Sequence, residues 1–306
     1  MLNELDKLML EKVADLQEIP QGAFNIRKNG QKLERNTTSN IDIITKTDKP
    51  GIDVIIKPHT KEESVHIPVI LTEDDINDVV YNTFEVGEYS DVTIVAGCGI
   101  HNCGTRLAQH DGIHSFYVRK GARMKYTEKH YGQGDGSGEK VFNPQTIIEA
   151  EDGAVVELEL IQIKGIDHTK RDTLVRLSGS AKLIVTERLL THLDQDAESE
   201  ITVELLGEDS SAQIISRSVA QDNSRQVFYF DLAGKNRCRG HIQCDAIIMH
   251  NATVLSTPKI SAYHSEAQLI HEAAIGRIES EQLIKLMSLG FSEKDAEDAI
   301  LNGFLK

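Results

Sequence analysis

Leu2, Leu5, Met9, Val13 and Leu16 recur at steps of three and four residues, the period of one face of an α-helix. The spacing predicts a short amphipathic helix over residues 3–16. A polar stretch rich in Asn, Thr and Lys follows, punctuated by Gly30 and Pro50. Within it, residues 41–43 and 51–56 have the alternation of short strands. From about residue 64 to about 276 the helical period disappears, and short β-rich segments succeed one another. Each begins with a turn ending in a small residue: Ser90 before DVTIVAG, Ala122 before RMKYTEKH, Ala154 before VVELELIQI, Ala181 before KLIVTERLL, Ala212 before QIISRS, Ala252 before TVLS. Their separations are 32, 32, 27, 31 and 40 residues. A nearly constant step with one β-rich unit per step predicts a solenoid, because a lone rung cannot bury its inner face and stacked rungs can. The rung size suits a β-helix; the alternative is an antiparallel sandwich, whose turns come more often. Helical spacing returns at the end. Residues 279–289 place Leu283, Leu286 and Met287 on one side with Gly290 as the stop. Ser292 then caps a second helix bearing Ala296, Ile300 and Leu301. The two helices are either an end cap for the stack or a docking module.

Composition narrows the function classes. The 306 residues carry 33 Lys+Arg against 48 Asp+Glu, a formal charge of −15. That balance disfavours a general nucleic-acid or anionic-membrane surface, which needs clustered cations. No apolar run approaches the ~18–20 residues of a membrane span. The acidic amphipathic start is unlike a signal peptide, and four cysteines beside histidines suit a reducing cytoplasm better than a disulfide scaffold. A β-helix carbohydrate-active enzyme is disfavoured by zero Trp and 5% aromatics, since sugar clefts use aromatic platforms.

Candidate chemistry sits in four places. Cys98, His101 and Cys103, followed by His110 and His114, carry soft and borderline metal ligands in a glycine-rich run, but their spacing matches no standard zinc module. The alternative is a tight loop with a buried thiol. Cys238, His241 and Cys244 suggest a second metal set. In an extended strand, however, Cys238 and Cys244 share a face about 20 Å apart and His241 points the other way. Glu272, beside His271, lies 28 residues after Cys244, one rung later, which places thiol and carboxylate on stacked strands. By the same step Cys98 plus 32 is His130. The glycines of residues 126–138 lack the order of a phosphate loop and predict a mobile inter-rung loop.

The run GKNRCRGHIQCDAIIM, the closing HEAAIGRIESEQLIKLMSLGFSEKDAEDAILNGFL and the segment SRSVAQDNSRQVFYFDLAG resemble the SufB/SufD family of iron–sulfur cluster assembly proteins over roughly residues 64–306. The resemblance implies a mainly β, right-handed parallel β-helix with short helical ends. It also implies a non-enzymatic scaffold that builds iron–sulfur clusters with an ABC-type ATPase, SufC, and passes them to apo-proteins. Mapped onto the family's Q-C-D and H-E-A segments, Cys244, His271 and Glu272 become the first-choice cluster ligands. Cys98, His101, Cys103, Cys238, His241 and His130 form a lower-choice set. The expected organisation is residues 1–63 as an N-terminal helix with short strands, 64–278 as the β-helix, and 279–306 as the ATPase-docking segment. Leu283, Leu286, Met287, Phe291, Ile300 and Phe304 would make the docking contacts. The N-terminal C-x2-C-x3-C motif of many SufB members is absent, so a compact chain pairing with a second copy through the β-helix is expected. The alternative is a SufD-like partner that recruits the ATPase and holds no cluster.

Overall fold

The computed structural model describes residues 2–16 and 18–306. Helix α1 spans Glu4–Ala14 and is followed by β1 (Ala23–Lys28), β2 (Gln31–Asn36), β3 (Ile41–Thr45), β4 (Gly51–Ile56), β5 (Lys61–His66) and β6 (Val69–Leu71). The long strands begin with β7 (Ile76–Val86), β8 (Asp91–His101), β9 (Ala108–Val118) and β10 (Arg123–Gln133). Next come β11 (Lys140–Phe142), β12 (Gln145–Ala150), β13 (Val155–Lys164), β14 (His168–Leu177) and β15 (Lys182–Thr191). The last strands are β16 (Asp196–Leu205), β17 (Ser210–Ala220), β18 (Arg225–Gly234), β19 (Cys238–Ile248), β20 (Thr253–Ala262) and β21 (Gln268–Gly276). Two helices close the chain, α2 (Ser280–Ser288) and α3 (Glu293–Phe304).

From β7 onward successive strands alternate between two sheets; from β12 onward each strand pairs with the strand two places on, and β11 and β12 together fill one position between β9 and β14. One sheet runs β2-β1-β5-β8-β10-β13-β15-β17-β19-β21, the other β20-β18-β16-β14-β11-β9-β7-β4-β3. Among the described residues only the hairpins β1–β2 and β3–β4 are antiparallel. The result is a parallel β-solenoid of about eight turns, the architecture the repeat predicts.

Alternation within each strand drives the stacking. In β15, Leu183, Val185 and Leu189 point into the lumen while Lys182, Ile184, Thr186 and Arg188 face out. Each buried Leu or Val contributes roughly 1.5–3 kcal/mol, and one contiguous core runs from Ala23 to Cys244. Phe84 and Phe116 stack across adjacent rungs with ring centroids 4.4 Å apart.

The turn series differs from its sequence reading in the last three rungs. Strand register aligns Ser90, Ala122, Ala154, Ala181, Ser210, Cys238 and Ala267 immediately before the paired residues Asp91, Arg123, Val155, Lys182, Ser211, Arg239 and Gln268. The steps are therefore 32, 32, 27, 29, 28 and 29. Ala212 lies inside β17, and Ala252 belongs to the turn at the opposite corner. The backbone at this corner turns through the left-handed region, where Gly121, Gly153 and Gly179 adopt φ of +64°, +70° and +54°.

Residues 126–133 are strand, not loop, because Tyr126, Glu128 and His130 alternate inward. Only 134–139 connect, and that segment is packed: a Cβ at Gly134 would lie 2.2 Å from the Asn102 carbonyl oxygen. The helix over 3–16 forms as α1, with an Asn3–Asp6 capping box. It buries Met9 and Val13 against the outside of β8, where Gly97 and Gly99 leave space, and Leu10 in a cluster with Phe24, Ile26 and Ile70. At the other end α3 seats Leu301 and Leu305 on Val219 beside Ile247, while α2 buries no residue.

Candidate functional site

Cys244 sits in the middle of β19, pointing into the lumen and fully buried. Burial pushes its thiol up to about 11, with the Ser256 hydroxyl of β20 pulling the other way. Ser216 stacks on it from β17, and Ala273 covers it from β21, the last strand. Glu272 pairs with Gln243, so the β19–β21 register is 29 and not 28. That single residue matters. Cys244 faces the lumen and Glu272, 63% exposed, faces solvent on the opposite side of the sheet. The expected thiol beside carboxylate does not form, and the two groups lie on opposite faces of the sheet. His271, paired with Ile242, has the same parity as Cys244; it is half-buried, and its Nε2 is buried without a hydrogen-bond partner. Outside, Glu272 Oε2 lies 3.6 Å from His241 Nε2.

The remaining ligand-type residues separate in the same way. Cys238 and Cys244 face inward along one extended strand and His241 outward, as the strand geometry requires. Cys238 fills the small-residue turn position, which accounts for its burial. Cys98 and His130 are direct partners on β8 and β10 and both face the lumen. Burial, then the charges of Glu128 and Asp78, raises the Cys98 thiol well above its usual range. His101 and Cys103 stand at the outer end of β8, with Cys103 exposed. Among the described residues no three of His, Cys, Asp and Glu converge in a metal-holding group.

What the sequence reading missed lies between these ends. Two hydrogen-bonded groups of polar side chains lie in the lumen. Arg27 Nη2 donates to Asp78 Oδ1 at 2.8 Å, and Asp78 Oδ2 meets His110 Nδ1 at 3.0 Å. Tyr126 donates its hydroxyl to Glu128 Oε2 at 2.8 Å. The Tyr126 oxygen therefore accepts from His114 Nδ1 at 2.8 Å, which leaves His114 Nε2 to accept from the Asn82 amide at 3.3 Å. Arg171 crosses from the other sheet to Glu128 Oε1 at 3.1 Å and Glu187 Oε1 at 3.2 Å. Ser199 and Ser216 donate to the two Glu187 oxygens at 2.6 and 2.8 Å. Ser216 is the residue stacked under Cys244, so the second of these groups reaches the C-terminal rungs. Burial holds His114 and His130 neutral, each lowered to about 4. Burial opposes the charge on Glu128, but His130, once protonated in the acid range, and the Arg171 guanidinium hold its carboxyl down at about 2. The signal was present as phase: Glu128, Arg171 and Glu187 each occupy an inward position of an alternating strand, where a charge is costly unless paired.

Outside the lumen, the last rung leaves β20 and β21 as free edges with Leu255, Ile260, Tyr263 and Ile270 exposed. Of the residues expected to dock a partner, Met287 and Phe291 are exposed, whereas Leu283, Leu286, Ile300 and Phe304 are half-buried. The most exposed apolar side chains here, Ile284 at 63% and Leu289 at 76%, were not anticipated. No described helix is long and apolar enough to cross a membrane.

Residues 70–304 match the family model of the SUF system FeS cluster assembly SufBD core domain. The chain belongs to the SufBD family. Among curated SufBD family proteins of iron–sulfur cluster assembly, one from Methanothermobacter thermautotrophicus is 26% identical over 240 residues, covering 78% of this chain and 57% of the relative. One from Archaeoglobus fulgidus is 27% identical over 228 residues, covering 74% and 60%. A third, from Methanocaldococcus jannaschii, is 26% identical over 254 residues, covering 82% and 79%. The chain thus spans about three fifths of the length of the first two SufBD relatives.

Proposed function

We propose that this SufBD chain is a scaffold subunit on which nascent iron–sulfur clusters are assembled, with a SufC-type ABC ATPase docked on α2 and α3. Cys244 supplies a ligand from the lumen side of β19, His271 from the lumen side of β21 above it, and Glu272 from the outer side of β21. The cluster is cargo, to be handed to apo-proteins, so a ligand set poorer than four thiolates suits release. The observation that carries the proposal is that Cys244 and His271 face the lumen on the last two strands of their sheet, with His271, paired to Ile242 two residues before Cys244, holding a buried Nε2 that lacks a hydrogen-bond partner. A neutral, covered thiol is not ready to ligate iron. Binding therefore requires β21 to move off Cys244, and movement of the docked ATPase pair would drive that opening. The free edges of β20 and β21 suit pairing with a second copy, and four free thiols suit a reducing cytoplasm.

The opposed orientation of Cys244 and Glu272 favours a second reading, a SufD-like partner that recruits the ATPase without holding a cluster. Anaerobic reconstitution of the ATPase complex with iron and sulfide separates the two. Iron and acid-labile sulfide per protomer should fall by more than half in Cys244→Ala and His271→Ala, and cluster formation should depend on ATP. Unchanged loading in both variants refutes the scaffold reading and leaves the recruiting partner.

A further inference from the structure

Cys103 stands apart from the other three cysteines. Cys98, Cys238 and Cys244 are buried, whereas Cys103 is exposed just past the end of β8. Its Sγ lies 3.1 Å from Nε2 of His101, the last residue of that strand. The turn between them folds the thiol back over the ring, and the turn is pinned. Asn102 is fully buried; its Nδ2 donates to the Arg106 carbonyl at 2.8 Å and its Oδ1 accepts from the Gly104 N–H at 2.9 Å. Thr105 and Arg106 donate backbone N–H groups to Asp74 Oδ2 at 3.1 and 3.3 Å. On the other side a Cβ at Gly136 would meet the Cys103 carbonyl carbon at 2.5 Å, so the next rung's loop lies against the backbone of the thiol. The fold itself sets the spacing of thiol and imidazole.

A thiol within hydrogen-bond reach of an imidazole is a nucleophile with its base. The thiol is open to solvent beside a half-buried His101, and among the described residues the pair joins no group of three ligand-type side chains. We propose that Cys103 and His101 form a thiol-exchange site whose substrates are low-molecular-weight disulfides. His101 Nε2 takes the proton of the Cys103 thiol, and Sγ attacks one sulfur of the incoming S–S bond. A new S–S bond forms to Cys103, the old one breaks, and the other half departs as a thiolate that recovers the proton from His101. The incoming disulfide supplies the oxidising equivalents, so no further oxidant is needed. The modified Cys103 carries the acquired group at the outer end of β8, away from the lumen thiols. The inference is independent of the scaffold assignment.

The test uses the full chain, reduced and desalted, mixed with Ellman's disulfide in a stopped-flow instrument. One thiol per chain should react in a fast phase, and the remaining three only after denaturation. Cys103→Ser should remove the fast phase. His101→Gln should slow it at least about tenfold, and added imidazole should restore part of the rate in His101→Ala. Far-UV circular dichroism checks that the variants keep the solenoid. In parallel, glutathione disulfide should leave a glutathionyl adduct on the wild type and none on Cys103→Ser by intact mass. A fast phase surviving in Cys103→Ser overturns the proposal. So does a rate unchanged in His101→Gln, since exposure alone then accounts for the reactivity, and so does a wild type without the adduct.

Discussion

Replacing Arg171 with Met tests the reading of the lumen as a closed electrostatic network. Arg171 is buried on β14 and clamps Glu128 of β10 and Glu187 of β15, two rungs apart on the facing sheet. Met keeps much of the side chain's apolar bulk, so packing changes little and the lost charge dominates. Two carboxylates would remain in the lumen without their shared cation, and breaking a buried pair in this way costs about 3–5 kcal/mol. A domain has only about 5–15 kcal/mol in all, so the variant should unfold at markedly lower urea. The triple replacement Arg171→Met, Glu128→Gln, Glu187→Gln removes the stranded charges and should recover all but about 1–2 kcal/mol, because the amide at 128 can still accept from Tyr126 while the amide at 187 accepts from one of Ser199 and Ser216 and donates to the hydroxyl of the other. Urea titrations followed by far-UV circular dichroism measure both. A single variant within about 1 kcal/mol of wild type, or a triple no better than the single, refutes the account.

Three further outcomes follow from the same coordinates. His114 and His130 are neutral in the fold at about 4 against an ordinary 6.5, so the unfolded chain binds protons first and stability is lost as pH falls from about 6.5 toward 4. At roughly 3 kcal/mol each this loss should appear as a falling urea midpoint, and a midpoint flat between pH 7 and pH 5 counts against it. Cys244 is raised to about 11 against 9.0, so its contribution is lost as pH climbs through that window, and at pH 8 iodoacetamide should label it far more slowly than it labels Cys103. Equal labelling rates by peptide mass mapping would contradict the burial. Gly97→Ala would put a Cβ 2.0 Å from the Val13 carbonyl oxygen, so α1 should lift away while the solenoid stays folded. Faster hydrogen exchange confined to residues 4–14 checks this, and unchanged protection there refutes it.

The chain's own pattern determined the architecture. Period-two alternation with a small residue at every corner can bury its inner faces only by stacking, so the solenoid, α1 and the two closing helices were legible from local rules. The pairing of Cys98 with His130 was legible too, because the early rungs keep an even step of 32. The facing of Cys244 and Glu272 was not. Their separation of 28 differs by one from the register of 29 that β19 and β21 adopt. In an extended strand one residue is half of the side-chain period, so that difference turns a carboxylate from the lumen to solvent. Rung lengths are set by how each corner packs on its neighbours, a three-dimensional condition. Which thiol meets which partner is therefore decided by the assembled stack. The Arg171 clamp follows the same logic, because Glu128 and Glu187 acquire a shared cation only once the opposite sheet is in place.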